Sequence, residues 1–222
     1  MQKNGRIDLS FFLIVRRSSV PGKARFYKAF LVLIFTFTFG LFSFGQETKE
    51  GANPAWQKGI SGAKVRIEVF NDYQCPTCAA FDKNLDDILR KYPNEVLIIY
   101  RNFPLTGMHR NAMAAAKAVE AAGKQGKFWE MMRLVYKNQA KWSESPSAEA
   151  DFVKYAKKLR LNIETFKTDR ESESVTSRIN ADIERSRFLE LSATPTVVFN
   201  GRILSAMETG YLEKIIEKQL SK

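Results

Sequence analysis

The pattern of apolar and polar residues in the middle of the chain predicts two strands separated by a helix. Residues 65–70 alternate and then become continuously apolar, which is typical of a strand. Residues 76–92 predict a helix with one buried face, because apolar side chains recur at helical spacing: Phe81, Leu85, Ile88 and Tyr92. Residues 95–103 are apolar on both faces and predict a buried strand. Since the connecting loops are short, we expect a βαβ unit with parallel strands.

Helical patterns dominate the next part of the chain, and strand character returns only near its end. Four segments predict helices: 109–122, which is rich in alanine, 127–141, 149–160 and 172–191, of which the last two place apolar residues on one face. Residues 196–199 predict a strand, and Asn200-Gly201 is typical of a type I′ turn, so residues 202–204 should pair back on that strand. A last helix is expected over about 208–220. The predicted architecture is α/β, a small mixed sheet with an inserted helical block.

The positive charge of the chain is concentrated near its N-terminus. The 222 residues include 35 Lys and Arg against 24 Asp and Glu, a net charge of +11. Such an excess suggests a nucleic acid or an anionic membrane as a partner. Residues 1–45, however, carry +6 of that charge, and no base-reading motif or basic run interleaved with aromatic residues follows them. The sequence therefore predicts no nucleic-acid partner.

An uncharged apolar segment, residues 29–45, follows the basic N-terminal residues. With small residues at Ser43 and Gly45 it has the order of a secretory signal, so we expect cleavage after Gly45. The alternative is an uncleaved membrane anchor, because the segment is near the lower length limit for a spanning helix. Either interpretation exports residues 46–222 to the periplasm or cell envelope, soluble after cleavage or anchored in the inner membrane.

Both cysteines of the chain lie in Cys75-Pro76-Thr77-Cys78, where the first predicted strand meets the first predicted helix. Residues three apart in a helix share a face, so the two sulfurs can approach each other. Cys75 is expected at the N-cap, where free N–H groups and the helix dipole stabilise a thiolate and lower the thiol pKa. Cys78, one turn further on, is expected to be less exposed and to act as the resolving thiol.

Two structural interpretations compete with a redox role for this pair. A structural disulfide between Cys75 and Cys78 would close a very short loop and contribute little entropic stabilisation. Half of a zinc site is the other interpretation, but zinc needs four ligands, and beyond the pair the chain has no cysteine and one histidine, His109. We therefore favour redox activity.

Pro195 opens the returning strand in Ala193-Thr194-Pro195-Thr196. A proline at a strand start is ordinary where its missing N–H is not needed. A cis Thr194–Pro195 bond beside the thiols is the other interpretation. Only about 5–6% of X–Pro bonds in folded proteins are cis, so the residues alone leave this choice open.

Four separated motifs, spread in order over residues 64–220, resemble the DsbA-like, thioredoxin-fold thiol–disulfide oxidoreductases of the bacterial cell envelope. The motifs are residues 70–78, residues 101–105 with His109, residues 126–130, and Thr194-Pro195-Thr196 with Asn200-Gly201. The resemblance implies a thioredoxin-like fold with an inserted helical domain. The chain then divides into a signal peptide or N-terminal membrane anchor, a linker, the first part of the thioredoxin-like domain, the inserted helical domain and the second part of the thioredoxin-like domain: 1–45, 46–62, 63–107, 108–191 and 192–222.

The resemblance also implies a site. In it, Cys75 is the exposed nucleophile that forms a mixed disulfide with the substrate, and Cys78 resolves that intermediate. Pro195 is cis and packs on the thiols, and the Thr194 backbone binds the substrate chain. No cofactor and no metal are implied. The expected partners are cysteine-containing exported proteins and a membrane or soluble redox partner that resets the thiol pair.

The predicted function is therefore that of an envelope thiol–disulfide oxidoreductase, and we favour an oxidant. The alternatives are a disulfide reductase or isomerase, and a non-catalytic, chaperone-like binding module on the same fold. Close relatives usually have an acidic residue six positions before the first cysteine, where this chain has Val69; the adjacent Glu68 is expected to point to the other face of the strand. Thr77 stands where the strongest oxidants have His, which predicts a less oxidising potential.

Overall fold

A five-stranded mixed sheet forms the centre of the protein in the computed structural model, which describes residues 50–205 and 210–222. The strand order is β1-β3-β2-β4-β5, and the strands are β1 Trp56–Gly59, β2 Val65–Asn71, β3 Val96–Asn102, β4 Thr196–Phe199 and β5 Arg202–Ile203. The helices are α1 Pro76–Lys91, α2 Ala112–Lys124, α3 Phe128–Lys137, α4 Gln139–Trp142, α5 Ala148–Lys158, α6 Ile163–Arg170, α7 Glu173–Phe188 and α8 Leu212–Leu220. The predicted signal peptide or anchor, residues 1–45, lies outside the described residues. In the part that is described, no helix combines the length and the apolar character needed to cross a membrane.

The central strands pair as the sequence predicts. β2 and β3 are parallel along their whole length, and α1 is the crossover between them. β4 pairs antiparallel with β2 and forms a hairpin with β5. In the hairpin turn Asn200 and Gly201 both have positive φ, 46° and 84°, as a type I′ turn requires. The α/β fold class and the βαβ unit are therefore confirmed.

Strand β1 lies inside the segment predicted to be a linker, so that prediction is wrong for Trp56–Gly59. β1 pairs antiparallel with the outer edge of β3. The Trp56 ring stacks on Phe128 at a centroid distance of 4.2 Å, and its close approach to α2 is possible because residue 123 is glycine, where a Cβ would lie 2.4 Å from the indole. A four-residue strand with a lysine and a glycine has no clear alternation, so only its partners define it.

The helices α2–α7 follow β3 and precede β4, the order expected of an inserted helical block. The predicted helix 127–141 is divided into α3 and α4, which meet at Asn138. The apolar pattern does not predict α6, because only Phe166 and Arg170 of its 8 residues are buried. Its first turn is instead fixed by Asn162 at the N-cap, whose side chain accepts a hydrogen bond from the Thr165 N–H at 2.9 Å.

One face of the central strands belongs to the apolar core beneath α1. Val69 and Tyr100 are neighbours in the β2–β3 ladder, and both are buried in this core. The Tyr100 hydroxyl donates a hydrogen bond to Oδ1 of Asp82 in α1 at 3.1 Å, which shows that this face is the one turned towards the helix.

The opposite face buries a cluster of charged side chains beside apolar ones such as Phe70 and Ile99. Arg101 of β3 forms ion pairs with Glu68 of β2 at 2.7 Å and with Asp182 of α7 at 3.0 Å, and Arg185 of α7 completes the cluster with a second pair to Glu68 at 2.6 Å. The Ala52 N–H donates to Asp182 at 2.8 Å, so the same cluster holds the segment before β1. Glu68 therefore points away from the Val69 face, as the alternation of the strand predicts.

Candidate active site

The thiol pair lies where β2 gives way to α1. The chain turns through Asp72, whose backbone carbonyl accepts the Cys75 N–H at 3.1 Å and whose side chain accepts the Gln74 N–H at 2.7 Å. Cys75 is the N-cap of α1 with extended backbone angles, and Pro76 is the first helical residue. Proline suits that position because the N–H it lacks would have no partner within the helix. The predicted placement of both residues is confirmed.

Cys75 is the more accessible of the two free thiols. It keeps 8% of its surface exposed, whereas Cys78 keeps 0%. Cys75 Sγ lies 2.9 Å from the Thr77 hydroxyl oxygen. The pKa of the Cys75 thiol is lowered to about 4, first because Cys78 donates a hydrogen bond to its sulfur and then because Thr77 does. At about pH 7 this group is a thiolate, which is the nucleophilic form of cysteine.

Cys78 has the opposite character. Burial raises the pKa of its thiol strongly, and the hydrogen bond to Cys75 raises it further, since a donated proton is harder to remove. The two sulfurs therefore share one charge unequally: Cys75 carries it, and Cys78 keeps its proton. This asymmetry is what a nucleophile and a resolving thiol require.

Thr194 and Pro195 lie beside the thiols although they are more than a hundred residues away in sequence. The Thr194–Pro195 peptide bond is cis, as the resemblance implies. The Thr194 carbonyl oxygen lies 3.4 Å from Cys75 Sγ and 3.4 Å from the Thr77 hydroxyl. The structure thus brings all four predicted site residues together at one end of the sheet.

Two amide side chains hold the turn before Cys75 against the helical region, and the sequence pattern does not single them out. Gln139 donates to the carbonyls of Tyr73 and Cys75 at 2.8 and 3.1 Å. Gln74 donates to the Ser143 carbonyl at 2.7 Å and accepts the Asn111 N–H at 2.8 Å. Amides are common on helix surfaces, so no local signal distinguishes these from solvated ones.

His109 contacts the thiol turn through Asp72. Its Nδ1 lies 2.8 Å from Asp72 Oδ2, an oxygen that also accepts the Leu105 N–H at 2.9 Å. The Asp72 carboxylate is fully buried, whereas the His109 side chain keeps 20% exposure. The histidine therefore fixes the turn rather than facing only solvent.

Tyr73, in the turn before Cys75, is buried. It keeps 3% exposure and packs against Tyr136 of α3 at a ring-centroid distance of 5.4 Å. Trp142 is fully buried against Phe152, as expected of a core residue. Among the residues described, no cluster of three or more His, Cys, Asp and Glu side chains is arranged to hold a metal ion.

Curated relatives of this chain fall into two groups. A Na(+)/H(+) antiporter, NhaA 1, from Mycolicibacterium gilvum is 32% identical over 149 residues, which cover 65% of this chain and 23% of the antiporter. The chain thus spans about a quarter of the length of the antiporters it matches. A probable disulfide bond formation protein D from Bacillus cereus is 29% identical over 171 residues, covering 74% of this chain and 78% of the relative.

Solved structures share the fold over most of the described residues. BdbD from Bacillus subtilis, in its oxidised form, has a TM-score of 0.66 at 22% identity and covers 76% of this chain and 94% of its own. Alpha-DsbA1 from Wolbachia pipientis has a TM-score of 0.66 at 19% identity, covering 78% and 95%. The family model described as thioredoxin matches residues 53–218, well over half of the sequence. The chain therefore belongs to the thioredoxin family and has the fold of its DsbA-like members.

Proposed function

We propose that this chain is a thiol–disulfide oxidoreductase of the cell envelope that exchanges disulfides with cysteines of exported proteins, acting as an oxidant. The observation that carries the proposal is the unequal pair at the N-terminus of α1. Cys75 has a pKa lowered to about 4 and a partly accessible sulfur, and Cys78 is buried and protonated. A thiolate so stabilised favours the reduced form of the pair, and a protein with a stable reduced form is an oxidant of its substrates.

In the oxidising direction, a substrate thiolate attacks Cys75 Sγ of the Cys75–Cys78 disulfide. The Cys78 sulfur leaves with the electron pair and takes up a proton, and a mixed disulfide joins the substrate to Cys75. A second substrate thiolate then attacks the substrate sulfur of that bond, and Cys75 leaves as its stabilised thiolate. Two electrons have moved from the substrate to the pair, which a separate redox partner must reoxidise. No cofactor takes part in these steps.

Thr194 and Pro195 are proposed to bind the substrate chain next to the exchanging sulfurs. In the reduced protein the Cys75 thiol and the Thr77 hydroxyl are both within 3.4 Å of the Thr194 carbonyl. When Cys75 is a thiolate it has no proton to donate, and the Thr77 hydroxyl turns to the charged sulfur. The Thr194 carbonyl is then free to accept an N–H from an extended substrate segment.

The proposed location follows from the N-terminal residues and from a relative. The basic residues and the apolar segment 29–45 support export, with the domain either released by cleavage after Gly45 or anchored. The similarity to a probable disulfide bond formation protein D supports a role in forming disulfides in exported proteins. The chain's similarity to antiporters covers only a quarter of their length and supports no transport activity.

A reductase or isomerase is the second candidate, and Thr77 favours it. A neutral hydroxyl at 2.9 Å stabilises the Cys75 thiolate less than a cationic side chain would, which makes the pair less oxidising. Equilibrating the purified full-length chain with glutathione redox buffers distinguishes the two. A redox potential of the thiol pair near that of envelope oxidants supports a role as an oxidant. A redox potential near that of thioredoxin supports a role as a reductase.

The exchange itself is tested with two serine variants. Cys75→Ser should abolish disulfide exchange with a cysteine-containing peptide, and Cys78→Ser should accumulate the mixed disulfide, whose partners mass spectrometry identifies. Exchange that persists in Cys75→Ser would disprove the proposed function. Protection of unfolded clients by Cys75→Ser, with negligible exchange by the unmodified chain, would instead favour a chaperone-like binding module.

A further inference from the structure

The buried thiol of Cys78 needs a partner for its proton. Cys78 keeps 0% exposure, and burial raises the pKa of its thiol. When Cys78 resolves a mixed disulfide it must lose that proton, and when the pair oxidises a substrate it must regain one. Water has poor access to this sulfur, so the proton has to move to and from a neighbouring group.

Buried carboxylates elsewhere in the described residues are held by opposite charges or by several donors. Glu68 and Asp182 are paired with Arg101, and Glu120 accepts from Arg178 at 2.9 Å. Asp72, fixed by backbone donors and His109, supports the turn before Cys75. These carboxylates already have their charges compensated, and each has a place in the fold.

Asp82 differs from all of these. It keeps 7% exposure, and in the described part of the chain it forms no ion pair; its one hydrogen bond there comes from the Tyr100 hydroxyl at 3.1 Å. It stands four residues after Cys78 in α1, so the two side chains share one helix face with Cβ atoms about 5–6 Å apart. Asp82 is therefore a buried carboxylate, one helical turn from the buried thiol, without a cation to hold its charge.

Two tyrosine rings and one ion pair lie near Cys78 and Asp82. The rings of Tyr73 and Tyr136 pack together, and both Cys78 and Asp82 raise the pKa of Tyr136, after burial as the main cause. Lys58 of β1 forms an ion pair with Asp86 at 2.8 Å, with 19% and 36% of the two side chains exposed. Both members of this ion pair act electrostatically on Asp82.

We propose that Asp82 exchanges a proton with Cys78 during resolution of the mixed disulfide, a role that rests on the proposed function and takes place at the same site. The Asp82 carboxylate accepts the Cys78 proton, directly or through one water. The electron pair left on Cys78 forms the bond to Cys75 Sγ, and the substrate sulfur leaves as a thiolate. In the oxidising direction the same carboxyl group returns the proton to Cys78.

The charged and titratable groups around Asp82 are consistent with this role. Burial raises the pKa of Asp82, which makes its carboxylate a better proton acceptor. Lys58 of β1, the Tyr100 hydroxyl of β3 and Arg133 of α3 lower that pKa, and Asp86 raises it, with burial the largest influence. The net result is a raised pKa, so the Asp82 carboxylate is a stronger base than that of an exposed aspartate.

The test is the pH profile of resolution, measured with the reduced full-length chain and a disulfide-linked peptide by acid quenching and mass spectrometry. In the unmodified chain, the mixed disulfide should decay faster as Asp82 ionises and then reach a plateau. Asp82→Asn should slow the decay about a hundredfold near neutral pH and leave a rate that rises with hydroxide concentration, while formation of the mixed disulfide by Cys75 is unchanged. Asp82→Glu, which keeps the carboxylate, should recover most of the rate.

Asp87→Asn is the matched control, since it makes the same change in α1 at an exposed position, where Asp87 pairs with Arg90. Tyr100→Phe is the second variant if Asp82→Asn does not fold. Loss of the donated hydrogen bond should move the inflection of the profile to higher pH, because that bond stabilises the Asp82 carboxylate. An unshifted profile in Tyr100→Phe, or identical decay in Asp82→Asn and the unmodified chain, would overturn the proposal.

Failure of the proposed function has a separate signature. In that case the unmodified chain forms no mixed disulfide at Cys75 with the peptide. Normal formation and normal resolution in Asp82→Asn would refute only the role of Asp82.

Discussion

The two faces of the central strands bury charged groups in contrasting ways. On the α7 side, Glu68 and Asp182 are each matched to an arginine at 3.0 Å or less. On the α1 side, Cys78 and Asp82 lie buried, and no cation of residues 50–205 or 210–222 forms an ion pair with either. Compensated charges of the first kind fix the chain in place, because breaking one such pair leaves a buried charge without a partner. Uncompensated groups of the second kind can change protonation state during a reaction, which is the property that exchange chemistry requires.

The largest expected effect is the loss of disulfide exchange when the thiol on the α1 side is replaced. Cys75→Ser removes the thiolate at the N-terminus of α1, so disulfide exchange with a peptide substrate should fall to background. Its unfolding midpoint in urea should match that of the reduced unmodified chain at about pH 4, because the Cys75 thiolate adds stability only above that pH. Loss of folding together with activity would contradict the view that the α1 face serves chemistry more than stability.

Breaking the ion-pair cluster on the α7 side should lower the stability of the protein and leave its thiol chemistry unchanged. Arg101→Met leaves Asp182 with a buried, uncompensated charge and Glu68 with Arg185 as its remaining partner, and we expect a loss of about 3–5 kcal/mol in the free energy of unfolding. Urea denaturation measures it, with Arg90→Met as the control, because the exposed Arg90–Asp87 pair should contribute under about 1 kcal/mol. The Cys75 pKa should be unchanged in Arg101→Met, and a shifted value would show that the two faces are coupled.

The pH dependence of the stability difference between the reduced and oxidised forms should report the thiol pair on the α1 side. The folded pKa of Cys75, about 4, lies below its ordinary value of about 9, so unfolding takes up protons between these limits. The reduced form should therefore gain stability relative to the oxidised form as pH rises from about 4 to about 9, and lose that gain as pH falls through about 4. Urea denaturation of the two redox forms checks the sign; a difference independent of pH would contradict the lowered pKa.

A smaller effect should come from the hydroxyl beside Cys75. Thr77→Val keeps the shape of the side chain and removes the donor at 2.9 Å, so the thiolate should be less stable and the Cys75 pKa should rise by about one unit. Ultraviolet absorbance of the thiolate during a pH titration measures this. Thr77→Ser retains the donor and should titrate like the unmodified protein.

The smallest effect is expected when the hydrogen bonds that hold the turn before Cys75 are removed. Gln139→Ala removes the donors to the Tyr73 and Cys75 carbonyls and should cost about 1 kcal/mol of stability with a measurable change in redox potential. Gln125, whose side chain bonds Asn162 on the surface, offers the comparison. Equal effects of Gln139→Ala and Gln125→Ala on the potential would show that the turn needs no support from the helical region.

The local sequence pattern was sufficient to predict those elements whose buried residues recur at regular spacing or whose turn has a characteristic sequence. The βαβ unit and the Asn200-Gly201 hairpin followed from periodicity and turn chemistry, since each needs only near neighbours in the chain. β1 and α6 could not be found this way. β1 is defined by pairing with β3 and by Trp56 stacking on Phe128, and α6 buries too few residues to leave a stripe.

The sequence by itself determined that two thiols share one turn at a strand–helix junction, because spacing, N-cap position and Pro76 are local properties. It also determined that Val69 and Glu68 point to opposite faces, because strand alternation is local. Only the tertiary structure decided which groups surround those thiols. The Thr194 carbonyl, the Gln139 amide and the Asp82–Tyr100 pair reach the site through strand pairing and helix packing across distant parts of the chain. Burial, which raises the pKa of Cys78 and Asp82, likewise exists only once these parts have packed together.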